Sequence, residues 1–144
     1  MFKIHSVAGR VFIGIIIGLI VGIISIAVSP IFGFPLLSMF GFGTLITFVM
    51  MGFTLGLVGM FDYHPVFGFK MRWWIRGPVA GFIFTLMYIL LSYETLEVIM
   101  QSNIVSWMGL SSPFWALLDG ITIGLIMGWM ETKFAGEGSS LPLE

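Results

Sequence analysis

The sequence predicts an all-α integral membrane protein, a four-helix bundle with both termini cytoplasmic, and three observations carry that reading. Residues 11–61 contain no charged side chain and are dominated by Ile, Leu, Val, Phe, Met and Gly. A chain of 144 residues cannot bury such a run on every side, whereas a bilayer accommodates it as two spans of about 20 residues joined by a turn. The composition agrees: 58% of residues are hydrophobic and 9% charged, against about 25% charged in ordinary globular chains. Finally, the apolar segments are even in number and the six basic residues all fall on one side of them.

The first span is expected at about residues 11–29. Lys3, Arg10, an apolar stretch and Ala27-Val28-Ser29 imitate a secretory signal. The apolar part exceeds the ~7–15 residues of a signal core, and Pro30 fits cleavage poorly, so the segment reads as a retained span. Two prolines and a glycine in Ser29-Pro30-Ile31-Phe32-Gly33-Phe34-Pro35 punctuate a tight turn. The second span is expected at about 36–61, longer than one crossing requires. Gly41 and Gly43 leave two options: an interfacial or re-entrant piece over 30–43, or a tilted helix. Residues 62–76 form a charged cytoplasmic loop. Gly77-Pro78 opens the third span, about 77–99, with Pro near the first helical position. A polar, Trp-containing connection leads to the fourth span at about 113–130, and 135–144 is a flexible Gly/Ser-rich tail.

Orientation follows from the basic residues. Lys3 and Arg10, then Lys70, Arg72 and Arg76, then Lys133 share one side, and the other receives only Glu94 and Glu97. That places both termini in the cytoplasm of a cell with the protein in its inner membrane. Trp73, Trp74 and Trp129 map to one interface and Trp107 and Trp115 to the other, as an aromatic belt does.

Small residues recur every four positions at Gly14, Gly18 and Gly22 in the first span and at Gly120, Gly124 and Gly128 in the fourth. Gly52/Gly56 and Gly77/Gly81/Thr85 repeat the pattern more weakly. Such glycine zippers let helix backbones meet closely, which lipid-embedded helices need. They serve either packing within one bundle or a seam between subunits, one zipper facing each way.

Asp119 is the sharpest candidate. Counted from Glu131 at ~1.5 Å per residue, it lies about 18 Å into the membrane, near the middle. By the same count Tyr88 and Thr47 reach similar depth, and both carry hydroxyls able to donate to it. An intramembrane carboxylate is a functional candidate with a partner to be named. In one reading it relays a cation or proton, with Glu94 and Glu97 as an acidic outer vestibule and Thr44, Thr47, Met51 and Thr54 as a facing wall. In the other it is a hydrogen-bonded structural residue, and the two glutamates are merely solvated.

Other features point to position rather than chemistry. Arg72, Trp73, Trp74 and Arg76 suit the lipid interface, with a lipid phosphate as a possible contact. His64-Pro65 sits in the loop, and the only other histidine is His5. There is no cysteine, no His/Asp/Glu cluster with metal-ligand spacing and no cofactor motif; the 11 methionines scatter as packing residues. No basic strip invites nucleic acid, and no serine or threonine has a nucleophile context. The expected protein is not an enzyme and its partner is the bilayer. It is either a subunit of a homo-oligomeric cation or proton channel or transporter, or an accessory or assembly subunit of a larger membrane complex.

Overall fold

The first helix starts ahead of its first charge. In the computed structural model, which describes residues 5–64, 66, 68–139, 141 and 142, helix α1 spans Val7–Val28. Ser6 caps it, its hydroxyl accepting from the Gly9 N–H at 2.9 Å. Such a cap satisfies a first-turn donor and stabilises by about 1 kcal/mol. Arg10 therefore lies inside the helix, not in front of it. Lys3, Pro65 and the last two residues, 143 and 144, lie outside the described residues.

A 3-10 turn at Ser29–Phe32 ends α1, closed by Gly33 at φ +84°, a left-handed conformation that glycine adopts without strain. Helix α2 spans Met39–Val58, with the Ser38 hydroxyl accepting from the Gly41 N–H at 3.1 Å. Residues 30–43 thus divide at Ser38 into a turn and a regular helix start. Gly41 and Gly43 do not break α2, and there is no re-entrant piece. At ~1.5 Å per residue its 20 residues match the ~30 Å hydrocarbon core.

Helix α3 spans Trp73–Leu91, so it starts at Trp73 rather than Gly77 and carries Pro78 in its interior. Ser92 ends it at φ −125°, ψ 24°. The expected third span at 77–99 is therefore two helices, since α4 follows at Tyr93–Gln101. The break has a simple cause: the 19 residues of α3 already cover ~28 Å, and α4 is amphipathic, burying Leu96 and Met100 while Glu94 stays exposed. A 3-10 turn at Pro113–Trp115 leads into α5, Ala116–Ala135.

Four of these segments are long and apolar enough to cross a bilayer: Val7–Phe32, Met39–Val58, Trp73–Leu91 and Pro113–Ala135, with mean hydropathy 3.1, 1.8, 1.6 and 1.4. Their outward faces are apolar as lipid contact requires; Ile20, Ile23 and Leu90 are each more than half exposed. The chain is an all-helical membrane protein, with no strand among the described residues.

The helices pair as two hairpins, α1 with α2 and α3 with α5. Glycine sets the approach in both. A Cβ on Gly18 would stand 2.7 Å from the Val49 Cα, and one on Gly22 2.8 Å from the Leu45 Cα. Across the second hairpin, a Cβ on Gly124 would meet the Gly81 Cα at 2.9 Å, and one on Gly77 the Leu125 Cα at 2.9 Å. Both glycine runs face their own hairpin partner within the chain. Between the hairpins, Ile17, Met51, Leu55 and Met127 form the core.

Position decides what a methyl group does on α2. Gly52→Ala would drive a Cβ into the Gly14 backbone, its carbonyl carbon at 2.5 Å, and is expected to destabilise by about 1–3 kcal/mol. At Gly43 the same Cβ meets nothing within 4 Å, so Gly43→Ala is expected to be neutral or to gain up to ~1 kcal/mol of helix propensity. Unfolding of the purified variants in mixed micelles measures both.

The tail from Ala135 onward is not free, which corrects the expectation for 135–144 within its described part. Gly136 and Gly138 take φ +83° and +104° and fold the chain back under the bundle. There the Gly138 N–H donates to the Gly59 carbonyl at 3.0 Å, and the Val7 N–H donates to the Pro142 carbonyl at 2.9 Å. Both ends of the described chain therefore lie at one end of the bundle. Ser139 ties the tail to the 62–70 loop, donating to the Asp62 carboxylate from N–H at 3.2 Å and from Oγ at 2.5 Å. These bonds hold the Asp62 carboxyl below its usual range. A depressed pKa stabilises the docked tail above the unfolded value of about 4, and the effect fades as pH falls through the lower folded value. Faster amide exchange at Ser139 in acid, absent at neutral pH, is the expected observation.

Candidate functional site

At the end opposite the termini the two hairpins part, and a cavity of about 450 Å³ lies between them. Helical periodicity brings its walls together. On α2, Thr44, Thr47 and Met51 share one face; on α3, Thr85 and Tyr88 do; on α5, Asp119, Gly120 and Ile123 do. Leu96 and Ile99 of α4 cover one side. Three of the sequence candidates, Asp119, Tyr88 and Thr47, thus line a single space. Thr54, one step further along its stripe, lines a separate cavity of about 200 Å³.

The expected hydroxyl cage around Asp119 does not form. Thr44 donates to the Phe40 carbonyl at 2.8 Å, so its oxygen accepts from the Tyr88 hydroxyl at 2.5 Å. That bond joins α2 to α3 across the cavity. Thr47 donates to the Gly43 carbonyl of its own helix at 2.8 Å. Among the described residues nothing hydrogen-bonds to the Asp119 carboxylate, and the residue is exposed and lines the cavity.

Its place along α5 follows from where that helix begins and ends. Glu131 served as the membrane boundary in the count, but α5 runs on to Ala135 and Glu131 is sealed inside. Asp119 lies in the first turn of α5, about 9 Å from Pro113 and 24 Å from Ala135 at ~1.5 Å per residue. It is in the outer third of the span, where the positive end of the helix dipole favours a carboxylate. Glu94 and Glu97 do not join it. They sit on the face of α4 away from Leu96 and Ile99 and form no vestibule around the cavity.

A second polar layer, at the termini end, holds residues that sequence reasoning missed. Arg10 of α1 and Glu131 of α5 pair at 3.2 Å with 1% and 0% side-chain exposure. Arg10 also donates to the Gly136 carbonyl and, at 3.4 Å, to the Thr132 hydroxyl. Gly59 leaves the room its guanidinium occupies. Arg76, on α3, is 3% exposed and donates to the carbonyls of Val58 and Phe61, at 3.1 and 3.0 Å, and to the Glu137 carboxylate. Glu137 accepts in addition from the Trp73 N–H at 3.2 Å, capping α3.

The expected interfacial role of Arg76 is thereby corrected: the guanidinium is buried, and one of its nitrogens serves the last carbonyl of α2, at Val58, and the Phe61 carbonyl just beyond the helix end. Arg72 and Trp74 do point outward, and Trp73 is half-buried. The two arginines act in opposite senses, Arg10 reaching from the first hairpin to the second and Arg76 from the second to the first. The hairpins are clamped at one end and open at the other.

A sequence signal for this layer existed. Arg10 lies four residues before Gly14 and Glu131 three after Gly128, so both continue the small-residue faces that pack inward. His64 is a loop residue: its Nδ1 accepts from the Val66 N–H at 3.2 Å and its ring stacks on Phe69. Compared with protein-family models, with curated proteins and with solved structures, the chain matches none.

Proposed function

We propose that the chain is a membrane carrier for cations, with the inter-hairpin cavity as its binding site and Asp119 as the counter-charge. One observation carries the reading: a carboxylate on an apolar span opens on a cavity, and among the described residues no group neutralises it. A charged side chain in a span is costly unless it is paired or wet, so such a carboxylate calls for a proton or a cation. Basic residues collect at the termini end, which favours a cytoplasmic placement of that end in the cell membrane. Asp119 then loads from outside, while the Arg10–Glu131 and Arg76–Glu137 pairs close the inner side. Two stiff hairpins rocking about the core would expose the site alternately, as carriers with paired repeats do.

Because the cavity lies within one chain, a homo-oligomer is a matter of assembly rather than of enclosing the path. Arg72, Trp73 and Trp74 would anchor the cytoplasmic interface, and no step of this reading is catalytic. Purified protein in liposomes tests it: an imposed gradient should drive a cation or proton flux that Asp119→Asn abolishes. Absence of flux in the wild type removes the reading and leaves the accessory-subunit role.

A further inference from the structure

We infer that the cavity takes a monovalent organic cation with an apolar body, and not a bare metal ion. The inference rests on the carrier reading and names its substrate class. Three features of the cavity carry it.

The first is size. At about 450 Å³ the space equals roughly fifteen waters at ~30 Å³ each, and it falls in the range of small-molecule pockets, about 300–1,000 Å³. A desolvated inorganic cation needs about six oxygens converging within ~2.6 Å. The second feature is the donor set. Among the described residues Asp119 is the only carboxylate lining this cavity, and no group of three His, Cys, Asp or Glu is placed to hold a metal. The hydroxyls are dispersed, with Thr44 and Tyr88 engaged with each other and Thr47 turned to its own backbone. The third is the wall. Phe32, Phe40, Phe48 and Tyr88 line the same cavity as the carboxylate, and ring faces attract a cation while sheltering its apolar substituents. One negative charge in an aromatic room matches one diffuse positive charge on a hydrophobic frame.

Benzyltrimethylammonium is the probe, and neopentylbenzene, its uncharged carbon isostere, is the control, both titrated into the full chain in nanodiscs. The ammonium is expected to bind saturably, without displacement by excess Na⁺ or K⁺, and more tightly than the isostere. Asp119→Asn should weaken it by roughly tenfold or more, while Asp119→Glu retains it. Equal binding of the isostere, or binding indifferent to Asp119→Asn, overturns the inference. If the ammonium does not bind but liposomes show an Asp119-dependent Na⁺, K⁺ or proton flux, the substrate class is wrong and the carrier reading stands. If neither is seen, both fall.

Discussion

Replacing Arg10 with Met is expected to destabilise the bundle by about 3–5 kcal/mol, because it strands the Glu131 charge in a sealed site. The carboxylate is 0% exposed and its Oε1 already lacks a hydrogen-bond partner among the described residues. With the guanidinium gone its Oε2 loses its partner as well, the Gly136 carbonyl loses the arginine donor, and the Thr132 hydroxyl keeps only its bond to Glu137 at 3.5 Å. Glu131→Leu should cost a similar amount by leaving the arginine charge uncompensated. The double replacement separates charge from packing. A buried ion pair exchanged for apolar side chains of like volume is often neutral, so Arg10→Met with Glu131→Leu should lose far less than the two single changes added together. Unfolding in mixed micelles across the four proteins gives the coupling directly. Additive losses would mean that the pair contributes only its separate contacts and does not clamp the hairpins through charge.

The same residues show where sequence reasoning stops. The four spans are legible because apolar length registers directly in composition, and the turn at Ser29–Pro35 because proline and glycine constrain the backbone locally. Arg10 and Glu131 are 121 positions apart, and nothing local says that they meet. Each reads as the charged edge of an apolar segment, an edge that belongs in water. Once paired, both move inside, and every length counted from them shifts. That one assumption started α1 too late. Arg76 follows the same logic, since its partners are carbonyls at and just beyond the end of a different helix and a carboxylate of the tail. Tyr88, Thr47 and Asp119 converge because depth on separate spans can be counted, roughly, from either end. Their hydrogen bonds could not be counted. Thr44, one turn away from expectation, takes the Tyr88 hydroxyl, and the carboxylate stays open. The break at Ser92 was hidden for another reason: α4 continues the apolar character of α3 on one face only.

Asp119→Asn is expected to leave the fold intact and remove transport, the reverse of what the arginine replacement does. No hydrogen bond holds the Asp119 carboxylate among the described residues, and an amide has nearly its shape. Stability should therefore change by no more than about 0.5 kcal/mol, as for a substitution that breaks no partner. The flux should fall by at least ~tenfold, since losing ~1.4 kcal/mol of attraction for the cation already does that. Asp119→Glu keeps the charge in the same cavity and should keep measurable flux. Glu94→Gln and Glu97→Gln change charge on the far face of α4 and should leave it unaltered. A general loss of negative surface would lower flux in all three variants that remove a charge, whereas a binding site loses it in Asp119→Asn alone. An unchanged rate with Asp119→Asn, in liposomes where the wild type conducts, would show that the cation passes elsewhere and that the open carboxylate has another use.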